Sequence, residues 1–169
     1  VDGSPTDDAP VHVFLNPGVY GDLDEVAAQV VVTHELVHAV TRAPQVSGVP
    51  LWFVEGFADY VALRDVDLPV ERTAGQIIDK VAADGPPAAL PTDAEMNLTA
   101  QHLGAQYEAA WLACVVLAEH AGEAALVDLY RDVVSGTELS RALAWRTDWQ
   151  VDDLTTAWRE RLTSLAGGS

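Results

Sequence analysis

Apolar residues recur at helical spacing along most of the chain, and the breaks in this pattern predict where elements begin and end. One short alternating stretch, VHVFL at residues 11–15, predicts a strand, and Asn16-Pro17-Gly18 after it is typical of a turn. Helices are predicted at about 22–41, 51–63, 70–83, 104–121, 123–134, 137–145 and 150–165. The expected fold class is therefore α+β, predominantly α-helical, with a C-terminal helical bundle.

Several polar, proline and glycine positions support these boundaries. Asp22 followed by Glu25 resembles a capping box at the start of the first long helix. Pro50 suits the first position of the next helix, and Gly122 suits the end of the helix that starts near residue 104. The segment that follows Gly85-Pro86-Pro87 is expected to be irregular up to about residue 100.

The length and composition are those of one globular domain. The chain has 169 residues, of which 49% are hydrophobic, which is enough to bury a core. Residues 1–10 are polar and rich in turn formers, so we expect a linker or disordered N-terminus there, and residues 166–169 are expected to be disordered as well. The predicted domain spans residues 11–165.

The charge and the apolar pattern exclude some partners. A net charge of −17, with Lys80 as the single lysine, would repel a phosphate backbone, so nucleic acid is not expected as a partner. No stretch of about 18 consecutive apolar residues occurs, so no transmembrane segment is expected in this chain. Cys114 is the only cysteine, which excludes an intrachain disulfide, and its apolar neighbours predict a core position.

A helix that is apolar nearly all round contains two histidines and a glutamate. In VVVTHELVHAV, residues 30–40, His34, Glu35 and His38 form the pattern H-E-x-x-H. Residues four apart share one face of a helix, so both imidazoles can reach one metal ion, and Glu35 lies about 100° round the helix, where it can reach a metal-bound water. A metal would also explain how buried ionisable groups are tolerated, although a histidine pair satisfied by backbone groups is an alternative.

The third metal ligand is predicted on the following helix. The metzincin pattern is excluded, because Thr41 and Pro44 occupy its glycine and third-histidine positions. In LWFVEGFADY, residues 51–60, Glu55 is a carboxylate in an apolar setting, and Asp59 lies one turn further on. Asp59 could accept the spare ring N–H of a metal-bound histidine. The alternative is that these two carboxylates form a solvated helix face.

HELVH, followed after a loop by PLWFVEGFADY, resembles the gluzincins, which are zinc metallopeptidases. The similarity is greatest to the peptidase-MA-like family of high-GC Gram-positive bacteria, and it covers about residues 11–165. LNPGVYGDLDEVAAQVVVTHELVHAVTR, LWFVEGFADYVALR and AQYEAAWLACVVLAEHAGEAALVDLYRD all fit that pattern. The resemblance implies a zincin-like domain, here with a reduced N-terminal sheet because VHVFL is the single predicted strand.

The resemblance also implies roles for individual residues. His34, His38 and Glu55 would bind one Zn²⁺ per chain, and Glu35 would act as general base. Tyr107 in AQYEAAW would donate a hydrogen bond to the oxyanion of the tetrahedral intermediate. An ordinary core position for Tyr107 is the alternative, and His102 and His120 are weaker candidates for that donor.

The sequence thus predicts a zinc metallopeptidase acting on a peptide or protein. Residues 1–33 contain no G-x-M-E-N motif of the kind that grips a substrate N-terminus in related aminopeptidases, and AEMNL at 94–98 differs from it in order and position, so an endopeptidase is favoured. Two alternatives remain open: a non-catalytic, zinc-stabilised binding or regulatory module, and a zinc hydrolase of a non-peptide amide or ester. By resemblance the protein would be exported or associated with the cell envelope, with the cytoplasm as the alternative. The sequence does not indicate the oligomeric state.

Overall fold

The chain is predominantly helical, as predicted. The structure is a computed structural model that describes residues 13, 17–42, 46–97 and 99–168. Within these residues the elements are α1 (Pro17–Tyr20), α2 (Glu25–Thr41), α3 (Leu51–Leu63), α4 (Val70–Thr73), α5 (Gly75–Asp84), α6 (Leu103–Ala121), α7 (Glu123–Val134), α8 (Leu139–Thr147) and α9 (Val151–Gly167). The described residues contain no strand; the strand expected at 11–15 lies outside them apart from Val13.

The starts of the two site-bearing helices differ slightly from prediction. Asp24, not Asp22, caps α2, because its Oδ1 accepts a hydrogen bond from the Ala27 backbone N–H at 2.8 Å. Pro50 is the N-cap of α3 rather than its first helical residue, and its carbonyl accepts from the Phe53 N–H. Both helices still cover the predicted residues, so the expected site residues keep their helical spacing.

Two further segments depart from the predicted pattern. The helix expected over 70–83 is divided into α4 and α5 at Ala74, whose φ of −105° and ψ of 24° leave the helical region. Ala74 is fully buried, so core packing fixes its conformation against the helical pattern. In addition, a single helical turn, α1, begins at Pro17 where a turn was expected, and α9 reaches Gly167, inside the stretch expected to be disordered.

The core is centred on α6, which packs against α3, α5, α7, α8 and α9. Its middle turns are buried almost completely, including Leu112 and Leu117, and the Trp158 indole N–H of α9 donates to the Ala109 carbonyl at 2.9 Å. This hydrogen bond satisfies the polar atom of the largest buried side chain. The C-terminal half therefore forms a helical bundle around α6, and that bundle supports α3.

A close approach between α3 and α6 depends on Gly56. A Cβ atom at this position would lie 2.4 Å from the Ala110 carbonyl oxygen and 3.2 Å from Cys114 Sγ. The Ala110 carbonyl belongs to the helix backbone, so it cannot move aside for a Cβ atom as the end of a flexible side chain could. The absence of a side chain at Gly56 therefore allows the contact that seats α3, with its carboxylates, on the core.

We predict that Gly56→Ala lowers the free energy of unfolding by about 1–3 kcal/mol, because the added methyl group overpacks the α3–α6 contact. Gly75→Ala is the matched control, since a Cβ there meets nothing within 4 Å and alanine favours the helix. Urea unfolding followed by circular dichroism measures both variants. Equal stabilities for the two would show that α3 and α6 are not held this closely.

The helix α2 lies against α3 and keeps its other face open among the described residues. Val26, Leu36 and Val40 are 53%, 50% and 83% exposed, and every described side chain of α2 is at least partly exposed. Among the described residues no helix combines the length and apolar character needed to span a membrane. The position of the α2 histidines is thus determined mainly by the contact between α2 and α3.

Candidate metal centre

The site forms where α2 and α3 face each other. His34 and His38 are four residues apart on α2, and Glu55 and Asp59 are four residues apart on α3, so each pair lies on one helix face. All four side chains are largely shielded, with 13–18% of each side chain exposed. The local sequence therefore positions four polar side chains inside an otherwise apolar helix contact.

Three atoms from these side chains converge on one point. His34 Nε2 and His38 Nε2 are 2.9 Å apart, and Glu55 Oε2 lies 3.1 Å from the first and 3.2 Å from the second. The two imidazole rings meet nearly edge to face, at 85°. Within the described part of the chain these residues form the group of histidines and carboxylates that could hold a metal ion.

The dimensions of this cluster suit a small divalent cation. Zinc with four ligands at about 2.0–2.1 Å in tetrahedral geometry keeps neighbouring ligand atoms about 3.3 Å apart. The observed separations of 2.9–3.2 Å are only slightly shorter. Two imidazole nitrogens and one carboxylate oxygen are also a donor set that zinc accepts. The residues therefore fit the cofactor that the sequence predicts.

Asp59 orients one of the two histidines. Its Oδ1 lies 2.7 Å from His34 Nδ1, and because an ionised carboxylate only accepts, this ring nitrogen carries the proton. His34 Nε2 is thereby directed at Glu55 and His38. His38 differs, because its Nδ1 is buried without a hydrogen-bond partner among the described residues.

Hydrogen bonds within the cluster strongly shift the pKa values of His34 and Glu55. Burial alone would lower the pKa of His34, but the hydrogen bonds and charges of Asp59 and Glu55 raise it to about 10. Burial would raise the pKa of Glu55, but the hydrogen bonds and charges of His34 and His38 lower it to about 2. At neutral pH the His34 side chain in the metal-free cluster is consequently a positively charged imidazolium that faces the carboxylates of Asp59 and Glu55.

Glu35 and Tyr107 lie at the edge of the cluster. Burial raises the pKa of Tyr107 to about 12, and the charges of Glu55, Asp59 and Glu35 contribute. Tyr107 is thus near enough to these carboxylates for their charges to act on its hydroxyl. The structure brings Tyr107 of α6 to the site, although 52 positions separate it from Glu55 in the sequence.

The two weaker donor candidates occupy other positions on α6. His120 lies near its far end, where Nε2 donates to the Thr147 carbonyl at 2.9 Å and the ring stacks on Trp149 at 3.6 Å. Thirteen residues of helix from Tyr107 correspond to about 20 Å. His102 is exposed and precedes the first turn of α6 in a left-handed conformation, with φ of 59°. Of the three candidate donors, Tyr107 is the one whose pKa is raised by the charge of Glu55.

Tyr130 of α7 is a further tyrosine near the cluster that the sequence did not indicate as a candidate site residue. Its ring stacks on Phe57 at 3.8 Å, and its hydroxyl lies 3.5 Å from Thr41 Oγ1. Burial raises the pKa of Tyr130 to about 12, and the charge of Glu55 contributes. A cavity of about 380 Å³ between the end of α2, α3 and α7 lies beside it. Its position in an amphipathic helix gave no signal, because that pattern is equally typical of an ordinary core tyrosine.

Comparison with known proteins gives no family for this chain. No family model matches it, and neither the curated proteins nor the solved structures include a match. The resemblance to gluzincins therefore stays a prediction based on the motifs, and the geometry of the cluster is the basis for a functional proposal.

Proposed function

We propose that the protein is a zinc-dependent metallopeptidase that cleaves internal peptide bonds. The observation that carries this proposal is the convergence of His34 Nε2, His38 Nε2 and Glu55 Oε2 within 3.2 Å of one another. Two imidazoles and one carboxylate leave the fourth position of a tetrahedral zinc ion for water or substrate, which is the ligand count of a catalytic site. One zinc ion per chain is expected.

Zinc held by these residues would polarise the scissile carbonyl and lower the pKa of bound water to about 7. Glu35 would accept the proton of the attacking water and pass it to the leaving amine. Its place beside the first histidine lets it reach that water without joining the three ligand atoms, and its charge is felt by Tyr107 across the site. Glu35 is thus assigned as the general base.

Tyr107 would donate a hydrogen bond to the developing oxyanion. A pKa of about 12 keeps its proton in place at neutral pH, so the hydroxyl remains a donor. A single donor aimed at an oxyanion typically contributes about 3–4 kcal/mol to transition-state stabilisation. On this proposal α2 and α3 are the zinc-binding helices of a zincin-like domain, and α6 supplies the oxyanion donor.

The experiment that tests this function is a peptide-library digest by the zinc-loaded chain, read by mass spectrometry. Peptides with acetylated N-termini should be cut at internal bonds, because an endopeptidase does not need a free amine. A zinc chelator should stop cleavage, and added zinc should restore it. Bound zinc without cleavage of any peptide would contradict the proposal and favour a zinc-stabilised binding module; cleavage of amide or ester substrates alone would favour the non-peptide hydrolase.

We predict that Asp59→Asn weakens zinc binding about 10- to 100-fold. The asparagine amide carries no negative charge, so its hydrogen bond to the His34 N–H is weaker than that of the Asp59 carboxylate. The imidazole is therefore oriented less firmly and is a weaker base. Competition with a chromophoric chelator measures the affinity. Asp65→Asn is the control, because this exposed carboxylate follows α3 and forms an ion pair with Arg64, away from the cluster. An unchanged zinc affinity in Asp59→Asn would remove Asp59 from the site.

Zinc binding should also release protons at pH 7.5. A pKa of about 10 means that His34 is protonated in the metal-free cluster, and it must become neutral to bind a metal. Zinc affinity should therefore fall as the pH is lowered. Calorimetry in two buffers of different ionisation enthalpy measures the effect, which should exceed one proton per zinc, because His34 loses one proton and zinc-bound water with a pKa of about 7 loses most of another. A release of less than one proton per zinc would contradict this protonation state.

A further inference from the structure

Glu108 directly follows Tyr107, the oxyanion-donor candidate, and its carboxylate makes contacts with another helix. Glu108 is partly buried on α6, and its Oε2 accepts from the Ile77 backbone N–H at 2.8 Å while its Oε1 accepts from Gln76 Nε2 at 2.9 Å. Both donors belong to the first turn of α5. Glu108 thus joins the turn of α6 that carries Tyr107 to the start of another helix.

This contact replaces a cap that α5 lacks. The N-cap residue of α5 is Ala74, whose methyl group cannot accept a hydrogen bond, and the first turn of α5 contains no acidic residue. The first N–H groups of a helix need acceptors from elsewhere, and a negative charge near them is favourable. Glu108, which lies 31 residues after Ile77 in the sequence, supplies both the acceptor and the negative charge.

A glycine lies at the same junction and leaves room for the Gln76 side chain. A Cβ at Gly104 would lie 2.5 Å from Gln76 Nε2 and 2.6 Å from Gln76 Oε1, so the Gln76 amide occupies the space a side chain would fill. Gly104 and Glu108 are one turn apart on α6, on either side of Tyr107 in the sequence. They bring the start of α6 close to α5.

The start of α6 has no side-chain cap of its own. His102, the N-cap residue, makes no capping hydrogen bond through its side chain. Ala105 is buried in the first turn, but Tyr107 and Glu108 are only partly buried, and the continuously buried stretch, Ala109 to Cys114, begins after them. The orientation of the Tyr107 turn consequently depends on the junction with α5 as well as on the core.

We propose that Glu108 is a positioning residue: by capping α5 it fixes the first turns of α6 so that Tyr107 keeps its place at the contact between α6 and α3, beside the candidate metal centre. The inference deepens the proposed function and rests on it for the catalytic consequence. A displacement of about 1 Å in a group that acts on the reacting atoms can lower the rate by about 100-fold, so such a support would matter for turnover.

The first test is structural and does not need activity. In protein labelled with ¹³C in its tyrosine rings, the Tyr107 signal is identified by its loss in Tyr107→Phe. Glu108→Ala should shift or broaden that signal while leaving Tyr60 and Tyr130 unchanged. Glu108→Gln keeps an acceptor oxygen for the Ile77 N–H and should restore the signal. Glu119→Ala, an exposed site on the same helix, is the control.

The second test uses the zinc-loaded chain and a double-mutant cycle. Glu108→Ala should lower kcat about 10- to 100-fold with KM and bound zinc unchanged, and it should have less than a twofold effect in a Tyr107→Phe background. A merely structural role would lower kcat equally in both backgrounds and would overturn the proposal. If Glu108→Ala does not fold, Gln76→Ala replaces it, because it removes one contact from an exposed side chain.

The two tests separate this inference from the proposed function. An unaltered Tyr107 signal in Glu108→Ala overturns the positioning role whether or not the chain cleaves peptides. An altered signal in a chain that binds zinc and cleaves nothing supports the positioning role and rejects the peptidase.

Discussion

Replacing Glu35 by Gln should lower kcat by about 100- to 10,000-fold while one zinc ion per chain stays bound. Glutamine keeps the size and shape of the side chain but cannot accept a proton at neutral pH. Both proton transfers assigned to Glu35, from the attacking water and to the leaving amine, would therefore be lost. The three proposed ligand atoms belong to His34, His38 and Glu55, so the substitution leaves the candidate metal site unchanged.

The matched control for Glu35→Gln is Glu25→Gln, which alters an exposed glutamate in the first turn of the same helix. Ten residues of helix place Glu25 about 15 Å from Glu35 along the helix axis. Steady-state kinetics on a peptide substrate, with zinc measured on the same samples, compares the two. A Glu35→Gln variant with wild-type kcat would contradict the mechanism even if zinc binding is intact.

Replacing Glu55 by Gln should weaken zinc binding by more than about 100-fold, beyond the effect of losing a group that only orients a ligand. The change removes the only anionic donor among the three ligand atoms and leaves two neutral imidazoles. It also removes a charge that raises the pKa of His34, so the metal-free cluster changes as well. Competition with a chromophoric chelator at constant pH gives the affinity.

Glu71→Gln controls for the loss of one negative charge, because Glu71 is exposed on α4. Circular dichroism should show the same helix content in both variants, since Glu55 contributes its carboxylate to the cluster and not to the buried core. Equal zinc affinity in Glu55→Gln and the wild type would mean that zinc binds elsewhere.

The sequence predicts most of the helical architecture because the helices are clearly punctuated and several of them, such as α5 and α7, have one apolar face. The Gly122 C-cap is present, with φ of 89° and its N–H donating to the Ala118 carbonyl. The helix break at Ala74 was not predicted, because it arises from packing in the core and the local pattern continues through it. Long-range packing of this kind leaves no periodic signal.

The cluster was predictable because its parts are local. His34 and His38 are one helical turn apart, as are Glu55 and Asp59. A carboxylate in an apolar helix also indicates a binding partner, because burying an unpaired charge is costly. The distances between the two pairs depend on how α2 meets α3, which the sequence does not specify. Glu108 was missed for the same reason, since its partner Ile77 lies on another helix. Tyr130 was missed because nothing local distinguishes it from a core residue.

The central claim is tested most directly by the amount of zinc bound to the wild-type chain. The protein is incubated with zinc, dialysed against metal-free buffer and analysed for zinc and for chain concentration. We predict one zinc per chain, held by His34, His38 and Glu55, and its loss when His34 and His38 are both changed to alanine. A wild-type chain that retains no zinc after this treatment would contradict the account, because both the mechanism and the metal-binding alternative require it.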